Sequence, residues 1–325
     1  MKWTFVLGFL VVISIVAPGF GQQSDYPTRQ IEYVVPAGAG GGTDAIARVV
    51  AEFAGKKLGQ PVMVLNKTGG GGVVGTSYVL KQSKADGYTV LSETHSWSSM
   101  LVAGMVNPPV TLEDRIFIAR FVVDPLVFAV NVDAPWKTFK EFGEWVKANP
   151  DKLTWGSTGP AAISAFAVQE WLSNIGVDHS KTNLVPIKGA VDAVTKLAGG
   201  HIMLAVHTVG ECYSLHKGGK IRILAVESEK RSKYLPDILT AAEQGVKGSR
   251  VVWWTGMSVR KGTADSIVKK WMKLSEDMVK DSEFQKKIDL IHSELHYLDS
   301  EGVTQFVYDE VKNYKELAKR IGIRQ

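Results

Sequence analysis

The chain has 325 residues, of which 45% are hydrophobic and 22% charged. That is enough for about two domains with cores of their own and excludes wholesale disorder or a fibrous repeat. The 38 Lys and Arg against 33 Asp and Glu leave a formal charge of +5 with no Arg-rich run, so nothing in the charge points to nucleic acid as a partner.

Residues 1–21 read as a signal peptide. Lys2 is a minimal positive start, Trp3 to Val16 is almost wholly apolar, and small residues end near Gly19 and Gly21. The apolar run is shorter than the roughly 20 residues a spanning helix needs. Export with cleavage near Gly21, into the periplasm, is therefore expected. The lone cysteine, Cys212, has no partner for an internal disulfide, so an exported form must be held by packing; the thiol is expected to be inert.

Ile31 to Val35 is β-rich and ends in Pro36 and the loop AGAGGGTD. Ile46, Val49, Val50, Phe53 and Ala54 then recur at helical spacing up to Gly59, a C-cap. Val62 to Leu65 is a strand, Thr68 to Gly75 a second glycine cluster opening a short helix, and Tyr88 to Leu91 a third strand after the Asp86-Gly87 turn. Alternating strand and helix predicts an α/β unit with a mainly parallel sheet. Val122 to Val130 is apolar except at Asp124-Pro125 and is expected to carry the chain across a domain boundary.

The α/β pattern repeats beyond it. Thr138 to Ala148 is a helix, Leu153 to Trp155 a strand, and Ala161 to Ile175 a helix. Leu184 to Pro186, Ile202 to Val206 and Ile221 to Val226 are strands, with a helix from Ala190 to Leu197 and a short helix or turn around Cys212. Val251 to Val259 is β-like, and three charged helices close the chain over 263–279, 282–291 and 304–321. Their lysines read as solvated faces rather than a docking surface.

Two junctions carry the chemistry. In Pro36-Ala37-Gly38-Ala39-Gly40-Gly41-Gly42-Thr43-Asp44, glycines between a strand and a helix leave backbone N–H groups bare, and the helix start adds partial positive charge. Both favour a carboxylate or phosphate. The loop lacks the spacing of a dinucleotide loop and the Lys-Ser/Thr ending of a phosphate loop. The second junction, Gly156-Ser157-Thr158-Gly159, with Ser164 one turn on, has the same setting and offers hydroxyls. It lacks the G-x-S-x-G spacing of a nucleophile elbow. Thr94 and His95 end one strand and His207 ends another, at the sheet edge that faces a ligand crevice in open α/β sheets. The seven histidines form no zinc motif, and no cofactor or metal is expected.

An ordered series of segments is more specific than either loop: YPTRQI at 26–31, VPAGAGGGTDAIAR at 35–48, LGQPVMVLNKTGGGGVVGT at 58–76, DGYTVL at 86–91, WGSTG at 155–159, VPIKGAVDAVTKLAGGHI at 185–202 and GKIRILAVESEKRSKYLPDILTAAEQG at 219–245. This series resembles the solute receptors of tripartite tricarboxylate transporters, the TctC or Bug family. The resemblance implies a two-lobed α/β periplasmic binding protein of the Venus-flytrap type, each lobe a sheet flanked by helices, with residues 22–125 plus 250–325 in lobe one and 126–249 in lobe two.

It also implies a monomeric, non-enzymatic receptor that takes an organic carboxylate into the cleft and hands it to membrane permease subunits. Expected ligand-binding residues are Pro36, Ala37, Ala39, Gly40, Gly41, Thr43, Asp44, Thr94, His95, Ser157, Thr158, Gly159, Ser164 and His207. Ala37 stands where the family often has Phe. His207 replaces an acidic or amide setting. The second loop is less polar than usual. These departures favour a ligand larger or more apolar than succinate, including an aromatic acid. The alternatives are a ligand sensor for a signalling receptor and an exported carboxylate-ester hydrolase.

Overall fold

Two parallel βαβ steps open the fold, and their order follows from the sequence pattern. A computed structural model describes residues 26–159, 162–249 and 251–322; the signal-peptide segment, Pro160 and Ala161 lie outside the described residues. Strand β1 (Ile31–Val35) leads through the glycine loop into α1 (Gly42–Leu58), which ends at Gly59 in a left-handed conformation, and then into β2 (Val62–Asn66). The second glycine cluster winds into α2 (Val73–Ser77) and a π-helical turn over 78–82 before β3 (Thr89–Thr94) and α3 (Ser99–Gly104). β2 and β3 both pair parallel with β1.

Strand β4 (Arg115–Asp124) passes into β5 (Leu126–Asn131) with only Pro125 between them. β4 belongs to the first sheet and β5 to the second. The apolar run read as one strand, Val122 to Val130, is thus the end of one and all but the last residue of another. Proline lacks the N–H a ladder needs and separates them.

The chain then builds α4 (Phe139–Ala148), β6 (Thr154–Ser157), α5 (Ile163–Asn174), β7 (Asn183–Pro186), α6 (Ala190–Ala198), β8 (Ala205–Thr208), α7 (Val209–Lys217) and β9 (Ile221–Glu227). Thr138 and Glu141 close a capping box on α4. The second lobe has two small sheets rather than one. β8-β5-β9 is antiparallel, β6-β7 is parallel, and a bridge between Trp155 and Leu204 joins them. Its core stacks Phe139 and Phe142 on Trp171 and sets Phe128 edge-on to it, with ring centroids 5.2–5.6 Å from the indole.

Strand β10 (Trp253–Arg260) returns to the first sheet and lies antiparallel between β3 and β4. Helices α8 (Asp265–Lys280) and α9 (Ser282–Leu290), strand β11 (Leu295–Leu298) and helix α10 (Ser300–Ile321) complete the chain. The six-stranded order is β11-β4-β10-β3-β1-β2. The parallel reading of the first hundred residues holds for three strands, and the other half of the sheet is antiparallel.

Alternate residues of β1 serve opposite faces, as a pleated strand covered on both sides requires. Ile31, Tyr33 and Val35 join the core with residues of α1, α8 and α9, while Val34 packs with Leu91, Trp97 and Leu101. Helix α10 spans more than the first lobe. Trp254 packs with its Val303, Val307 and Val311, whereas Tyr314 meets Phe166 and Arg320 pairs with Glu170 on α5.

Candidate functional site

A cavity of about 560 Å³ lies between the two sets of sheets, within the range that holds a small organic ligand. The first lobe contributes Pro36, Ala37, Gly38 and Thr43, the glycine run 68–72, and Thr94 to Trp97. The second contributes Leu126, Thr158, Ala162 to Ser164, Ile187 to Ala190, His207 and Glu211, and Trp253 closes one side. A smaller adjoining space of about 390 Å³ runs along Ala39, Gly41, Asp44 and α6.

Three helix starts face this space, and they differ. At α1, Gly40 donates its N–H to Asp44 Oδ2 at 2.9 Å, and Gly42 donates its N–H to Glu211 Oε1 at 2.9 Å across the lobes. Burial opposes the Asp44 charge, but Arg48, Gly40 and Asn66 outweigh it and hold the carboxyl below its usual range. Asn66 also donates to the Ala37 carbonyl at 3.0 Å, tying the loop to the end of β2. The start of α6 is arranged like that of α1, with Lys188 donating its N–H to Asp192 Oδ2 at 2.9 Å, whereas the start of α5, at Ala162, has neither a capping side-chain hydrogen bond nor an acidic residue in its first turn. Helix starts leave N–H groups without helical partners, so the start of α5, which carries no protein carboxylate, is the open anion position.

His95 is buried, and its Nδ1 lies 3.1 Å from Thr94 Oγ1 and 3.5 Å from the Trp254 N–H. Accepting at Nδ1 leaves the ring proton on Nε2. Burial pushes its pKa down to about 3, so it is a neutral imidazole in the physiological range. His207, 8% exposed, faces Glu211 Oε2 through Nδ1 at 3.4 Å, while its buried Nε2 has no hydrogen-bond partner. Burial also opposes the Glu211 charge. His207 and the N–H groups of Gly42 and Thr208 reverse that and bring it down to about 2. Among the described residues no group of His, Cys, Asp and Glu is arranged to hold a metal ion.

Residues 46–323 match TctC, the Tripartite tricarboxylate transporter family receptor. The chain belongs to that family. A UPF0065 protein of Cupriavidus necator, named for the gbd 5' region, is 33% identical over 310 residues, covering 94% of this chain and 91% of its own. BugT of Bordetella pertussis is 30% identical over 263 residues, 80% and 78% of the two chains. Among solved structures, the periplasmic binding protein BugD superposes with a TM-score of 0.85 at 31% identity over 92% of this chain and 99% of its own. Rpa4515 of R. palustris with adipate gives 0.85 at 26% identity, with the same two coverages. The two-lobed periplasmic-binding-protein fold is therefore the architecture of this TctC receptor.

Of the residues expected at the site, Pro36, Ala37, Thr43, Thr94, His95, Thr158, Ser164 and His207 line the main cavity. Ala39, Gly41 and Asp44 line the adjoining one. Gly40 lines neither; its φ of +84° shapes the turn, and its N–H serves Asp44. Ser157 and Gly159 also stand back from both walls. Ser157 is buried, donates to the Gly159 carbonyl at 2.8 Å and accepts from Ser164 Oγ at 3.0 Å. Those two hydroxyls brace the loop. In this TctC receptor three site features went unread: the glycine run 69–72 as a wall, the Lys188-Gly189-Ala190 junction, and Glu211. Thr208-Val209-Gly210-Glu211 has capping-box spacing, and the box forms. That pattern was the available signal that a helix begins at Val209 and that Glu211 folds back toward its start.

Proposed function

We propose that this TctC receptor is an extracytoplasmic, non-catalytic binding protein that captures an organic carboxylate between its lobes and passes it to the membrane permease of a tripartite transporter. The observation that carries the reading is the start of α5, which has no capping side chain and no acidic residue in its first turn and lies on the cavity wall. A ligand carboxylate accepts hydrogen bonds from its N–H groups, with Thr158, Ser164 and Lys188 at hand. Periplasmic BugD and the adipate-bearing relative support the setting and the ligand class.

The passage from β4 to β5 at Pro125 and the return to the first sheet at Trp253 support a division of the lobes into residues 22–125 plus 250–325 against 126–249. Rotation of one against the other opens the cleft, and closure removes water from the anion and strengthens its hydrogen bonds.

The wall also has an apolar part formed by Ala37, Trp97, Leu126, Ile163, Ile187 and Trp253. Burying one ring there contributes about 1.5–3 kcal/mol, enough to rank acids of equal charge. The protein purified without residues 1–21 is expected to bind benzoate-type acids more tightly than succinate, malate or citrate in calorimetry at one ionic strength. Tighter binding of the small aliphatic acids overturns the preference. The absence of binding to any carboxylate overturns the function.

A further inference from the structure

Resting on the carboxylate reading above, we propose that Glu211 fills the position a second ligand carboxylate would take, restricting the cleft to organic acids with one negative charge whose far end offers a hydrogen-bond donor. The start of α1 already carries two protein carboxylates. Asp44 holds the Gly40 N–H, and Glu211 reaches over from α7 to hold the Gly42 N–H at 2.9 Å. Residue 42 is matched to that approach. A Cβ there would stand 3.2 Å from Glu211 Oε1 and 3.4 Å from the Trp253 ring, so a side chain at 42 would crowd the carboxylate by a few tenths of an ångström.

Glu211 is not a loose surface acid. Its side chain is 11% exposed, it lines both parts of the cleft, and Thr208 N–H and His207 Nδ1 fix its second oxygen. The independent observation is His207 Nε2. It is buried, has no partner, and belongs to a side chain on the cavity wall. With Nδ1 turned to Glu211, Nε2 is left for a polar group of the ligand. The α1 side of the cleft thus presents acceptors and negative charge. The α5 start presents donors, and the Lys188 side chain also lines the cavity. A ligand with a carboxylate at one end and a hydroxyl, amide or amine at the other satisfies both; a diacid sets like charges against each other.

The test compares acids that differ only at the far end: ω-hydroxyhexanoate against adipate, and p-(hydroxymethyl)benzoate against terephthalate. Calorimetry is run on the receptor lacking residues 1–21, on Glu211→Gln and on Glu211→Ser. Gln keeps the oxygen that accepts the Gly42 N–H and suits a capping box, so it removes mainly the charge. Ser vacates the position, and thermal melting checks that each variant is folded.

The wild type is expected to prefer the hydroxy acid of a pair by about tenfold or more. In Glu211→Gln that ratio should fall to about twofold or less, and in Glu211→Ser the absolute affinity for the diacid should rise. A wild type that binds the diacid as tightly as its hydroxy partner overturns the inference and leaves the carboxylate reading intact. So does a ratio unchanged in both folded variants. If neither member of either pair binds, the carboxylate reading falls and takes this inference with it.

Discussion

Gly210 sits in the first turn of α7, and an ideal Cβ built on it stands 2.6 Å from the carbonyl oxygen of Ile291, just beyond α9. That oxygen is backbone and cannot swing aside. Ordinary contact begins near 3.4 Å, so Gly210→Ala must part α7 from residue 291 by about 0.8 Å. Glu211 is the next residue. Directed along the Glu211–Gly42 bond, the same displacement stretches it from 2.9 Å to as much as about 3.7 Å, beyond hydrogen-bond reach.

A hydrogen bond to a charged group contributes about 1.5–3 kcal/mol, so this arrangement of the lobes is disfavoured about tenfold to a hundredfold. The second lobe alone gains, because Ala in a helix is up to about 1 kcal/mol better than Gly. The expected signature is a split: affinity for p-hydroxybenzoate falls at least about tenfold in calorimetry, while the unliganded protein melts no earlier than wild type. Unchanged affinity in Gly210→Ala refutes the reasoning, since it means the lobes do not need this contact to hold the ligand.

Asp124, buried at the crossing and bonded to Ser293 Oγ and Glu294 N–H, has its pKa pushed up to about 7, burial being the main cause. A raised acid stabilises fully below its unfolded pKa near 3.8 and loses that contribution as pH rises through 7. Three units correspond to about 4 kcal/mol, so melting temperature should decline from pH 5 to 8 and do so less steeply in Asp124→Asn; equal slopes count against the assignment.

Arg115 and Glu93 form a fully buried pair at 2.6 Å. Arg115→Met should cost about 3–5 kcal/mol in urea unfolding, and Arg115→Met with Glu93→Met should recover most of it; a single-variant loss under about 1 kcal/mol contradicts a dry pair. Gly72 has φ +100°, and a Cβ there stands 2.7 Å from the Trp97 ring. Gly72→Ala should therefore cost about 3 kcal/mol in the same assay, and a neutral effect argues against this packing of the glycine wall.

The strand and helix order is readable in the sequence because the apolar periods are strong and the glycine junctions punctuate them. The Asp124-Pro125 crossing is readable for the same reason. β11 is not: Leu295 to Leu298 is four residues long, not fully buried at any position, and stabilised by pairing with β4 from far along the chain. The site is legible at its loops but not in its polarity. Gly40, Gly41, Ser157 and Gly159 look like ligand donors by residue type. Whether an N–H or hydroxyl is free depends on which side chain reaches it, and for α1 that is Glu211, 169 positions from Gly42. His207 stands out in the sequence as a departure from the family pattern; its coupling to Glu211 appears only once Val209–Lys217 winds into a helix.

The middle strand of the first sheet is the last of its inner strands to be made. β3 and β4 are complete by Asp124, yet the strand that joins them begins at Trp253, after the entire second lobe. During synthesis β3 and β4 each wait with an unpaired rim, and such rims recruit other chains. The second lobe suffers no such delay, since its strands lie in one uninterrupted stretch from Leu126 to Glu227. A chain cut before residue 253 should thus yield a folded inner lobe attached to a sticky, open half-sheet. Holding factors that shield extended segments would act on this protein most during the interval between those two points.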